Sequence, residues 1–151
     1  MNNRMPTDAG RVVLLVQPHD DTRDMYAEFL RHHRFTPIAV ADGAAALNEA
    51  SRADVIVTGI ALHGRMDGIE LIARLRRDER TQVIPIIVLT ACVLENDRQQ
   101  AQNAGCDVFL PKPCLPDQVL SEIRRVLISR VAKSQSARPL HTTKHRHRRA
   151  S

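Results

Sequence analysis

Aromatic residues are scarce: the chain has no tryptophan, one tyrosine and three phenylalanines, or 3% of its residues. Aliphatic side chains must therefore fill any core, and with 43% hydrophobic residues there are enough of them. No apolar run approaches the ~18 residues that a membrane-spanning helix needs. The leading segment, Met1 to Gly10, is polar and lacks the apolar stretch of a signal peptide. The three cysteines, Cys92, Cys106 and Cys114, are odd in number and form no CxxC pair. That excludes a disulfide framework or a paired-cysteine zinc site and leads us to expect a cytoplasmic protein. Acidic residues are absent from positions 123–151, which carry 9 Lys+Arg. Residues 1–122 hold 13 Lys+Arg against all 17 Asp+Glu, a net of −4. The formal +5 thus belongs to the end of the chain, not to its body.

What is present is a fivefold alternation of apolar runs and helical patterns. Val12 to Val16 is a continuous aliphatic run, as expected of a strand covered on both faces. Asp20 or Asp21 can cap a helix that gathers Met25, Tyr26, Phe29 and Leu30 on one side. Thr36 to Val40 is a weaker strand, which Pro37 assigns to an edge. An alanine-rich helix follows Ala41-Asp42-Gly43, and Val55 to Thr58 is a third strand. Asp67 caps a helix containing Ile69, Leu71, Ile72 and Leu75. Ile84 to Leu89 is a fourth strand, and a polar helix from Glu95 to Ala104 stops at Gly105. Val108 to Leu110 is the fifth strand. Pro116 opens a last helix in which Val119, Leu120, Ile123, Val126 and Leu127 recur at helical spacing.

The pattern predicts an α/β fold: a doubly wound, flavodoxin-like parallel sheet of five strands with helices on both faces. One domain is expected over 11–131, between a disordered leader (1–10) and a disordered basic His/Arg-rich tail (132–151). Ligands of such sheets lie at the carboxyl ends of the strands. The informative residues are then Gln17 and Pro18, Gly59, Thr90 and Lys112. A flavin enzyme of the same topology is not expected, because the loop Gln17-Pro18-His19-Asp20-Asp21 is acidic and has no glycine.

Over residues 11–131 the order and spacing of Asp54-Val55-Ile56-Val57-Thr58-Gly59, Met66-Asp67-Gly68, Thr90-Ala91 and Lys112-Pro113 resemble the receiver domain of bacterial response regulators (CheY-like). The resemblance implies a member lacking the phospho-acceptor aspartate. Gln17 and Pro18 stand where the family has a magnesium-binding acidic pair, and Gly59 where it has the acceptor. Thr90 and Lys112 match the hydroxyl and the basic residue that contact the phosphoryl group, Phe109 matches the switch aromatic, and Lys112-Pro113 is implied to be cis. His63 replaces a customary proline, and Arg65 belongs to a one-residue loop extension. No cofactor is expected, magnesium included, and no enzymatic activity.

The function this implies is a stand-alone receiver-type protein in two-component or phosphorelay signal transduction. It would be independent of phosphorylation and act by protein–protein contact. The expected partners are a histidine kinase or another response regulator, with a homodimer also open. The implied contact face includes Gln99, Gln100, Phe109, Asp117 and Arg124. Two alternatives stay open. One is a substitute acceptor among Asp20, Asp21, Asp54 and Asp67. The other is anion or weak non-specific nucleic-acid binding by the basic tail, where His141, His145 and His147 alternate with cations. Lys112 is expected to reach solvent. Cys92 and Cys114 are expected near the pocket as idle thiols.

Overall fold

The computed structural model describes residues 9–132. The disorder expected of the two ends falls mostly outside those residues. Ala9 and Gly10 form a turn, with the Gly10 N–H donating to the Arg34 carbonyl at 3.0 Å.

Five strands, β1 (Val12–Val16), β2 (Thr36–Val40), β3 (Val55–Thr58), β4 (Ile86–Thr90) and β5 (Val108–Pro111), form one sheet of order β2-β1-β3-β4-β5. Every pairing is parallel. The helices are α1 (Asp20–His32), α2 (Gly43–Glu49), α3 (Gly68–Arg77), α4 (Glu95–Ala104) and α5 (116–132), with a short 3-10 turn at Ala50–Arg52.

The period-2 alternation of the strands divides the core into two layers. Val13, Leu15, Val55, Val57, Ile87 and Leu89 face α1 and α5, meeting Tyr26, Leu30, Ile123 and Leu127. Leu14, Val16, Ile56, Ile86 and Val88 face the other way, onto Ala46, Leu71, Ile72, Leu75 and Ala101. A strand buried on both faces cannot alternate polar and apolar residues, which is why β1, β3 and β4 read as continuous aliphatic runs. Pro37 lies in β2, the edge strand, where its missing N–H costs no ladder bond.

Three local expectations are corrected. The N-cap of α1 is His19, which makes no side-chain cap. Asp20 and Asp21 lie in the first turn, where their charge favours the positive end of the helix dipole. Met25 is 44% exposed and does not share the core side with Tyr26 and Leu30; the α1 stripe runs through Ala27 instead. Strand β4 begins at Ile86, not Ile84. Pro85 has no N–H to give to a ladder, and the Ile84 carbonyl is taken by Arg76 at 2.7 Å.

Candidate functional site

Parallel strands bring their carboxyl ends to one rim. Register sets Val16 beside Thr58, so the next residues, Gln17 and Gly59, are neighbours. Thr90 ends β4 beside Pro111, which places Lys112 next along the rim. The five pocket residues named from the sequence are therefore brought to the same end of the sheet. Asp54 lies at the other end, where it pairs with Arg11 at 3.2 Å and accepts from Val12 N at 2.8 Å.

Gln17 is fully buried. Its Nε2 donates to the Leu89 carbonyl at 3.4 Å, and its Oε1 accepts from Lys112 Nζ at 2.8 Å. Its own carbonyl accepts from Arg23 Nη1 at 2.8 Å. A buried carboxamide must have its hydrogen bonds made, and here both ends are used. Pro18 offers no N–H and no side-chain oxygen.

Lys112 is half-buried. The sequence suggested a lysine reaching solvent; the structure leaves it partly exposed, with its ammonium donating to Gln17. Desolvation by burial pushes its pKa below the ordinary 10.5. Among the described residues no carboxylate forms an ion pair with it. The Lys112–Pro113 bond is cis.

Gly59 is buried, and its N–H donates to the Val16 carbonyl at 3.0 Å. A Cβ there would lie 3.6 Å from Gln17 Nε2, 3.6 Å from the Leu89 carbonyl and 3.7 Å from Leu62 Cδ2, all ordinary contacts. The backbone therefore does not demand glycine at 59. It does at 68, where a Cβ would fall 2.0 Å from the Gly59 carbonyl. The start of α3 is packed directly on the end of β3, and the Gly68 N–H closes the loop onto Ile60 O at 2.7 Å.

Thr90 is 3% exposed, and its Oγ1 accepts from Cys92 N at 3.0 Å. The neighbouring carboxylates are already engaged. Asp67 caps α3, accepting from Glu70 N at 2.9 Å, and Asp20 pairs with Arg23. Among the described residues there is no group of three or more His, Cys, Asp and Glu side chains that could hold a metal ion.

Around this rim, the extended loop is held against the sheet edge by a bridge between Asp42 and His63. Met66 is seated on Gly43, close enough that a Cβ there would meet its Sδ at 2.8 Å. Of the five contact-face candidates, Gln99, Gln100 and Asp117 are exposed and Arg124 is partly exposed. Phe109 is not a surface residue: it is 9% exposed, and Arg98 lies 4.6 Å from the ring centroid. Burial raises the thiol pKa of both Cys106 and Cys114. Cys114 packs against the α1–α5 layer, and its carbonyl accepts from Tyr26 Oη at 2.6 Å.

Sequence reasoning missed three arginines. Arg23 ties the first turn of α1 to the Gln17 carbonyl, and Arg98 covers Phe109. Arg76 joins α3 to Gly105, Gln82, Ile84 and Asp107. None has a linear signal, since each acts on a carbonyl or ring distant in sequence or hidden by a turn.

The response regulator receiver domain profile matches residues 13–124. The phosphate regulon transcriptional regulatory protein PhoB of Escherichia coli is 30% identical over 120 residues, covering 78% of this chain and 52% of PhoB. The chain thus spans about half the length of that curated relative. Chemotaxis protein CheY4 of Vibrio cholerae superposes with a TM-score of 0.73 at 28% identity, covering 78% of this chain and 99% of CheY4. The receiver domain of sensor histidine kinase PA1611 of Pseudomonas aeruginosa, solved with magnesium coordinated in its active-site cleft, gives a TM-score of 0.69 at 30% identity. That match covers 82% of this chain and 99% of the receiver domain.

Proposed function

Since the chain belongs to the response regulator receiver family, we propose that it is a receiver of two-component signalling that takes no phosphoryl group itself and acts by protein–protein contact. The observation that carries this reading is the rim itself. Gln17, Pro18 and Gly59 stand at the ends of β1 and β3, and the Gln17 carboxamide is bonded to Lys112. Phosphoryl transfer to a side chain needs a nucleophile and a means of neutralising the phosphate charge. Gly59 supplies no nucleophile.

The residues present do not fit magnesium either. That ion needs a near-octahedral set of oxygens, usually with one or two carboxylates. Gln17 has one side-chain oxygen, already accepting from a cation, and Pro18 and Gly59 have none. The aspartates offered as substitutes are an ion-paired first-turn residue (Asp20), an exposed first-turn residue (Asp21), a helix cap (Asp67) and a group at the far end of the sheet (Asp54).

The partner class follows from the family: a histidine kinase or a second receiver, reached through the exposed part of α4 and α5 that carries Gln99, Gln100, Asp117 and Arg124. The test is incubation with acetyl phosphate and Mg²⁺ followed by intact mass. The expected spectrum is that of the untreated protein. A stable gain of one phosphoryl group on a carboxylate would establish a substitute acceptor and end this reading.

A further inference from the structure

The rim around Gly59 holds hydrogen-bond donors in excess of the acceptors that meet them. An ammonium has three N–H groups and a carboxamide two. Lys112 Nζ makes a single bond among the described residues, to Gln17 Oε1 at 2.8 Å. Gln17 is fully buried, and its Nε2 likewise makes a single bond, to the Leu89 carbonyl at 3.4 Å. Thr90, at the end of β4, is 3% exposed. Its Oγ1 accepts from Cys92 N, and its hydroxyl hydrogen meets no acceptor among the described residues. Beside these groups the place of a side chain is open. A Cβ at Gly59 would have Gln17 Nε2 and the Leu89 carbonyl at 3.6 Å and Leu62 Cδ2 at 3.7 Å.

The formal charge of this set is that of Lys112 alone. Half-buried, the ammonium has lost part of its water and has only a neutral carboxamide in exchange. The acids of the adjoining helix starts do not neutralise it: Asp20 pairs with Arg23, and Asp67 caps α3. We propose that the rim binds a small free monocarboxylate, of the size of formate or acetate, whose oxygens take up the remaining donors of Lys112 and Gln17 beside the open position at Gly59.

Charge and shape decide the class of ligand. A carboxylate is acceptor-only, so it suits a set whose unused groups are all donors. Its bonds to an ammonium are charge-assisted and stronger than the neutral bond present now. One negative charge balances the one positive charge. A phosphate dianion would leave a second charge unmet in a partly desolvated place, with Asp21 and Asp67 at the neighbouring helix starts adding repulsion. Leu62 gives the open position an apolar wall, against which the hydrogen of formate or the methyl of acetate can lie. Lys112 is partly exposed, so the ligand can reach it from solvent. The inference rests on the reading of the rim as one without a carboxylate of its own. It adds an input to that reading: occupancy by a dissolved acid in place of phosphoryl transfer.

The test titrates the full chain with sodium formate, replacing sodium chloride at constant ionic strength. Two signals are followed: the thermal midpoint, and the line width of ¹³C-formate in the presence of protein. The expected result is a saturable rise of the midpoint on the order of a few degrees, with a broadened formate line. Lys112→Gln, which keeps a donor but removes the charge, should abolish both. Gly59→Asp, which puts a tethered carboxylate beside Gln17 Nε2, should abolish both as well, and it decides the matter alone if Lys112→Gln does not fold. Inorganic phosphate at the same ionic strength should raise the midpoint less than formate does. Three outcomes would overturn the proposal: no saturable response to formate, a response that persists in either folded variant, or a larger response to phosphate. Modification by acetyl phosphate would instead end the reading of the rim itself, so the two failures are distinct.

Discussion

Lys112 Nζ donates to Gln17 Oε1 at 2.8 Å, joining the residue after β5 to the residue after β1. In the sheet order these strands are separated by β3 and β4, so the bond runs over the ends of both. It lies above Gly59 and the Leu89 carbonyl, to which the other end of the same carboxamide is tied. A side chain at 59 would enter the space beside Gln17 Nε2. The missing side chain at 59 and the amide at 17 are thus one arrangement: a bond from the Lys112 ammonium to a neutral carboxamide spans the rim beside a glycine.

Gln17→Ala removes two hydrogen bonds from a fully buried position and leaves both the Leu89 carbonyl and the Lys112 ammonium without their partner. A loss of about 1–3 kcal/mol is expected. Urea unfolding followed by far-UV circular dichroism measures it as a lower midpoint at unchanged slope. No change in midpoint would mean that the bridge contributes nothing to stability.

The alkaline side of the stability profile should report on Lys112. Its folded pKa is below the ordinary 10.5, so over the interval between the two values the unfolded chain binds more protons. Stability therefore rises with pH as the lysine loses its proton in the folded state, and the gain is complete by the unfolded value. Lys112→Met should flatten this rise. Tyr26 acts in the opposite direction: burial raises its pKa above 10.0, so stability falls once the unfolded phenol ionises. Comparing the natural protein with Lys112→Met below pH ~10 isolates the lysine; parallel curves would contradict the assigned shift.

Gly59→Asp should fold, because the first atom of the side chain meets only ordinary contacts. Alone it should remain unmodified by acetyl phosphate and Mg²⁺, since positions 17 and 18 still lack carboxylates for the metal. The triple variant with Gln17→Asp and Pro18→Asp should gain the mass of one phosphoryl group. Modification of the single variant would show that the metal site is not what is missing.

The thiols of Cys106 and Cys114 should alkylate slowly in the native protein. Burial holds both above the ordinary 9.0, so at pH 8 less than about a tenth of each is thiolate. Iodoacetamide labelling with peptide mapping should show both rates rising on addition of urea. Fast native labelling of Cys114 would indicate an activated thiol.

The five strands, most of the helix faces and the rim positions were legible in the sequence because their causes are local. Aliphatic runs, caps such as Asp67 and the stop at Gly105 act within a few residues of where they are read. Where the reading failed, the deciding partner was remote or a finer geometric choice intervened. Met25 was placed inward by spacing, but Ala27 occupies the turn of α1 that meets the sheet. Phe109 was placed on a contact face, but α4 lays Arg98 across it.

Lys112 marks the boundary most clearly. That a lysine follows β5, and that a glutamine and a glycine stand at the other strand ends, is written in the chain and excludes a carboxylate at those three positions whatever the fold. That the ammonium turns inward is decided only by the sheet order, which sets the β1 end within reach of the residue after β5. A half-buried charge seeks the nearest oxygen in space, and positions 17 and 112 become neighbours only when the parallel strands assemble.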